Sequence, residues 1–125
     1  MIKVDNNTKT ISINRGDDNV SFNFSIPIDS TTNYTFKTTD VIKFGVYTAK
    51  KLEDKALILK EIHNDEEKEV ITITLSKQDT SIGDIENKPV KCWYEIQLND
   101  DTIIGFDEKG AKEFIVYPEG SDEQW

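Results

Sequence analysis

Of the residue types that build cross-links, metal sites and sharp chain reversals, the 125-residue sequence holds one cysteine, one histidine, three prolines and six glycines. With Cys92 alone, no intramolecular disulfide can form. That suits a reducing compartment, and synthesis in a bacterial cytoplasm is the simplest expectation. One Cys and one His exclude the usual structural zinc sets, which need three or four ligands. A hydrolytic nucleophile needs a base beside it. His63 is expected in an exposed turn, and Cys92 on the core face of a strand, where a thiol behaves as a small hydrophobe. No Gly-rich phosphate loop and no G-x-S-x-G elbow occurs. Nothing in the spacing of the 24 acidic residues selects a pair for glycoside hydrolysis. The expectation is a protein without catalysis, metal or cofactor.

Cations are also scarce. Fifteen Lys and Arg stand against 24 Asp and Glu, a formal net charge of −9. Such a balance disfavours nucleic acid, whose binding depends on neutralising phosphates, and an anionic membrane surface. No apolar run approaches the ~20 residues that span a bilayer, and Met1-Ile2-Lys3-Val4-Asp5 has no signal-peptide core.

What the chain does have is period-two alternation. Val20, Phe22, Phe24, Ile26 and Ile28 alternate with Ser21, Asn23, Ser25 and Pro27, the pattern of a strand with one buried face. Pro27 removes a ladder donor, so this strand should end at an edge or bulge. Ile42, Phe44 and Val46 repeat the pattern, as do Ile71, Ile73 and Leu75, and then Cys92, Tyr94, Ile96 and Leu98. Leu57–Ile62 is a further strand of ambiguous inward face. Ile103–Phe106 and Phe114–Tyr117 close the set, and Ile2–Val4 should pair with Ile11–Ile13 across a turn. His63–Lys68 reads as an exposed hairpin tip and Asn99–Thr102 as a tight strand connection. Only Ser76–Gly83 and Glu108–Glu113 suit a helical turn. Seven to nine short strands at this spacing indicate a sandwich or barrel, and two sheets packed face to face give each strand one dry side. One domain over residues 1–118 with a polar tail over 119–125 is expected.

Several features bear on binding. Arg15-Gly16-Asp17 spells an adhesion tripeptide but suits a turn into the long strand. The Asn-x-Ser/Thr sequons at Asn6, Asn23 and Asn33 mean little without a secretory signal. The acidic loops at 64–67 and 100–101 offer oxygens for calcium but lack EF-hand spacing, so a solvated loop is favoured. Trp93 and Tyr47 fall on the outward side of their strands. Exposed Trp and Tyr are favoured at interfaces because they combine large apolar area with a polar tip.

One ordered series of motifs resembles a known family. Ile11-Ser12-Ile13-Asn14-Arg15-Gly16-Asp17 precedes a long alternating strand, followed by Tyr34-Thr35-Phe36 and Asp40-Val41-Ile42-Lys43-Phe44. Leu57–Lys60, Ile71–Ser76 with Gln78-Asp79-Thr80, and Trp93-Tyr94-Glu95-Ile96-Gln97-Leu98 complete it. The order is similar to that of the N-terminal-type Ig-like domain of baseplate upper proteins in phages and prophages of Gram-positive bacteria. The match extends from about Ile11 to Phe106. Asp18, where Thr or Ser is usual, and Cys92, where an aromatic is common, depart from the pattern. The resemblance implies an Ig-like antiparallel β-sandwich. Gly16 and Asp17 would shape the first turn, Asp40 would start a core strand, and Asp79 with Thr80 would close a turn. Tyr94 would lie in the core with its hydroxyl bonded at a strand corner. It further implies a virion component whose partners are other phage tail or baseplate proteins, a role that a homo-oligomer would fit. A carbohydrate-binding module using Trp93 and Tyr47 to stack on a cell-surface glycan is the alternative.

Overall fold

A computed structural model describes residues 2–5, 7–48, 56–82, 88–104 and 112–118. Among the described residues, nine strands and one short helix follow each other along the chain: β1 (Lys3–Val4), β2 (Ile11–Asn14), β3 (Val20–Phe24), β4 (Val41–Tyr47), β5 (Ile58–His63), β6 (Ile71–Leu75), α1 (Lys77–Thr80), β7 (Val90–Leu98), β8 (Asp101–Ile104) and β9 (Lys112–Tyr117). They form two sheets. The larger runs β1-β2-β9-β7-β4-β5, with β8 also on β7, and the smaller is β3-β6.

Alternation decides which side of each strand is dry. In β6, Ile71, Ile73 and Leu75 are at most 1% exposed, whereas Thr72 and Thr74 face solvent. In β7, Cys92, Tyr94 and Ile96 are buried, joined from β4 by Ile42, Phe44 and Val46 and from β9 by Phe114 and Val116. β-Branched and aromatic side chains of this kind fit a pleated, half-buried surface. Phe22 of the small sheet meets Phe44 of the large one edge-on at 5.3 Å between ring centroids. Phe44 also lies 5.8 Å from Tyr94 and 6.1 Å from Phe114. These contacts close the two sheets around one core.

The order β2-β9-β7-β4-β5 against β3-β6 is a two-sheet, all-β sandwich: the central strands of one sheet are the fourth and seventh, and the third and sixth form the other. One pair departs from the antiparallel expectation. β2 and β9 run parallel, with Ile11 opposite Phe114 and Asn14 opposite Tyr117. A parallel pair needs a long connection, and here nearly the whole domain lies between its two members.

Three further expectations meet the structure differently. Residues 63–68 are not a hairpin tip. β5 belongs to the large sheet and β6 to the small one, so the segment crosses between layers, and Asn64 is buried with its amide donating to the Lys37 carbonyl. The strand read from Val20 to Ile28 is regular only to Phe24, and Pro27 sits beyond it in an isolated bridge to Asn33. The helical turn near Ser76 forms as α1. Of the second candidate, Lys112 and Glu113 open β9, and residues 108–111 lie outside the described residues, as do Phe106 and 119–125.

Candidate functional site

The residues singled out as structural occupy corners of the sandwich. Gly16 has φ 87°, the left-handed region a glycine enters without Cβ strain. The Asn14 N–H donates to the Asp17 carboxylate, and the Thr80 hydroxyl donates to the Asp17 carbonyl at 2.6 Å. The turn before β3 is therefore tied to the end of α1. Asp79 completes a capping box with Ser76 and meets the Lys60 ammonium at 2.6 Å. Burial works to raise its carboxyl, but Lys60 and the Ser76 backbone and hydroxyl outweigh that and hold it below the usual range. Lys60 shares the inward side of β5 with Ile58 and Ile62. Its reach to Asp79 thus closes the flank of the sandwich.

Asp40 immediately precedes β4 and is 3% exposed. Its carboxylate accepts from the Tyr34 hydroxyl at 2.7 Å, the Lys37 N–H at 2.8 Å and the Asn99 amide at 2.9 Å. Burial favours the neutral acid, yet these donors prevail and hold the carboxyl below its ordinary value. Asn99 returns the contact, its side-chain oxygen accepting from the Val41 N–H. Tyr94 is buried and donates from its hydroxyl to the Lys9 carbonyl at 2.6 Å, and burial pushes that hydroxyl well up.

The two aromatics expected to face outward are brought together. Tyr47 and Trp93 are direct cross-strand partners on β4 and β7, both half-buried, on the face opposite Val46 and Tyr94. Gly45 makes room for this arrangement. A Cβ there would stand 2.7 Å from the Tyr47 hydroxyl and 3.0 Å from its ring, so the ring lies back over the glycine. Across from Gly45 on β5 stands Leu59, 66% exposed. Across from it on β7 is Glu95.

Glu95 was not singled out from the sequence. Alternation puts it on the wet face, yet it is 3% exposed. The Thr102 hydroxyl and Gln97 amide donate to its carboxylate at 2.5 and 3.0 Å. Burial, and then the Glu95 charge, raises the Tyr47 hydroxyl above its ordinary value. The local sequence carries no signal for this. A Glu among outward positions reads as solvated until Thr102 is brought round by the turn at Asn99 and Asp100. On the outer face a half-buried Tyr–Trp pair thus lies beside the buried, hydrogen-bonded Glu95 carboxylate, with exposed Leu59 at its border. Such a surface can bind through the exposed parts of the two rings and Leu59.

His63 ends β5 exposed, its Nε2 2.7 Å from the Glu61 carboxylate. Cys92 is fully buried, and burial pushes its thiol up to about 11. Among the described residues no three His, Cys, Asp or Glu side chains gather to hold a metal ion, and no helix is long and apolar enough to cross a membrane. Compared with protein-family models, curated protein sequences and solved structures, the chain matches none of them.

Proposed function

We propose that this chain is a structural protein of a phage or prophage tail, a small baseplate-class component that works through protein–protein contacts and performs no catalysis. The observation carrying the reading is the Tyr47–Trp93 pair, set side by side on the outer face of the large sheet. Paired aromatics with a polar surround are what protein interfaces enrich. The ordered motifs from Ile11 to Leu98 add the phage class. Gly16, Asp17, Asp40, Thr80 and Tyr94 all work as internal ties, as befits a scaffold. His63 at an exposed strand end and Cys92 sealed in the core favour a non-catalytic role.

The test is recovery of the chain from particles. Tailed particles induced from a strain carrying the gene and purified on a gradient should contain it at fixed stoichiometry with tail proteins, by mass spectrometry. Particles that lack it overturn the tail reading. Trp93→Ala should weaken retention of the purified domain on such particles about tenfold or more.

A glycan-binding module is the second reading, favoured by the same aromatic pair lying beside the Glu95–Gln97–Thr102 cluster. Titration with cell-wall polysaccharide fragments, followed by tryptophan fluorescence, separates the two. Saturable binding lost in Trp93→Ala supports the glycan, and a flat response removes it.

A further inference from the structure

A second surface lies on the far side of the molecule. β3 pairs only with β6 among the described residues, so one of its edges is unpaired. Along that edge runs a cleft of about 370 Å³, within the size range of ligand sites. Phe22, Phe24 and Ile26 line one wall, and Ile11, Ile96 and Ile103 of the large sheet line the other. No residue of β6 lines it, so the cleft opens on the unpaired side of β3. Its apolar groups are incompletely covered: Phe24, Ile26 and Ile103 are only partly buried, unlike their counterparts in β6 and β7.

An exposed strand edge is normally blunted by Lys or another charge. Here residues 19–28 form the longest uncharged run in a chain that is 31% charged. An unpaired edge offers main-chain hydrogen bonds, and an adjoining apolar cleft offers pockets for alternate side chains. Together they are the two requirements for adding an extended strand.

We propose that the β3 edge accepts an extended segment of a partner protein, seating alternate apolar side chains in the cleft and carrying basic residues at its two ends. Charge argues for this occupant. The exposed Asp18 stands before β3, and the exposed Asp29 follows the run at its other end. Asp29 is held ionised by the Thr31 backbone N–H and hydroxyl and the Thr32 N–H, which lower its carboxyl. Among the described residues Lys9 is the sole charged one lining the cleft, so cationic side chains belong at the flanks and not inside it. A second copy of this chain is disfavoured, since each copy carries a net charge of −9. The proposal is independent of the outer face and of any tail assembly.

The probe is a capped synthetic peptide, Lys-Lys-Val-Thr-Val-Thr-Val-Thr-Lys-Lys, about 30 Å long when extended. A control peptide replaces every Lys by Glu. Calorimetric titration should show the Lys-flanked peptide binding the full chain about tenfold or more tightly than the control. Hydrogen exchange on the wild-type chain should slow at residues 20–26. Ser25→Pro removes an N–H just past the last residue of β3 paired with β6, so the two-stranded ladder stays whole. It should weaken binding about tenfold or more. The proposal is overturned by absence of binding at millimolar peptide, by protection on another edge, or by equal affinity for both peptides. A dimer of the chain that Ser25→Pro dissociates would overturn it in favour of self-association.

Discussion

Asp40 shows how one side chain can tie together parts of the chain far apart in sequence. Its three donors come from Tyr34 and Lys37 nearby and from Asn99 on the β7–β8 turn. Asp40→Ala would leave these buried donors unmatched. A hydrogen bond to a charged group is worth about 1.5–3 kcal/mol, and the substitution should cost about 3 kcal/mol at neutral pH, read by urea unfolding. The pH dependence follows from the direction of the shift. Because the folded carboxyl titrates below its unfolded value, the stabilisation is fully present above about pH 4. It is lost as pH falls through the lower, folded value, so the gap between wild type and Asp40→Ala should narrow in acid. An unchanged gap at pH 2–3 would mean that Asp40 acts by packing alone. The sequence placed Asp40 at the start of a strand, but not its bond to Asn99. That contact exists only because β4 and β7 pair with Ile42 opposite Leu98.

Among the elements, β4 links the core to the surface. Its inward side holds Ile42, Phe44 and Val46, each fully buried, while its outward side is shaped by Gly45 beneath the Tyr47 ring. The atoms a Cβ would meet belong to the end of one side chain, which can rotate away. Gly45→Ala should therefore displace Tyr47 at a cost of about 1 kcal/mol, with the fold retained. The near-UV circular dichroism should change while the far-UV spectrum does not. The variant also tests the tail reading, because retention on particles should fall as it does for Trp93→Ala.

The turn joining β7 to β8 shows chemistry legible only in part. It lacks the glycine usual in such hairpins, yet Asn99 (φ 51°) and Asp100 (φ 73°) both take left-handed backbone. Asn and Asp tolerate that region better than other non-glycine residues. β3 is the element whose sequence promised most and delivered least. Five alternating apolar residues imply a fully covered face, but among the described residues no strand lies on its open side, only Phe22 is properly buried and Ile28 is 63% exposed.

For the molecule as a whole, stability rests on the rings that join the two layers. Phe44 is fully buried and touches Phe22, Tyr94 and Phe114, so it couples β3, β7 and β9 through β4. Phe44→Ala should cost about 4 kcal/mol, near the upper end for an aromatic truncation. Phe22→Ala should cost less, about 2–3 kcal/mol, because Phe22 already borders the open cleft and its removal extends an existing void. Urea titration of both variants checks the order, and an equal or reversed order would mean that the β3 side is as tightly packed as the centre.

The sequence by itself determined where most strands run and which side of them is dry. A period of two is a local property, and burying one face of a strand requires nothing else to be specified. The scarcity of Cys and His was equally local. Tertiary structure decided what depends on pairing between distant strands. It made β2 and β9 parallel, set Tyr47 beside Trp93, enclosed Glu95 under Thr102 and, among the described residues, left one edge of β3 without a partner strand. Each of these follows from register and sheet order, to which residues tens of positions apart contribute jointly, and no window of neighbouring residues contains that information.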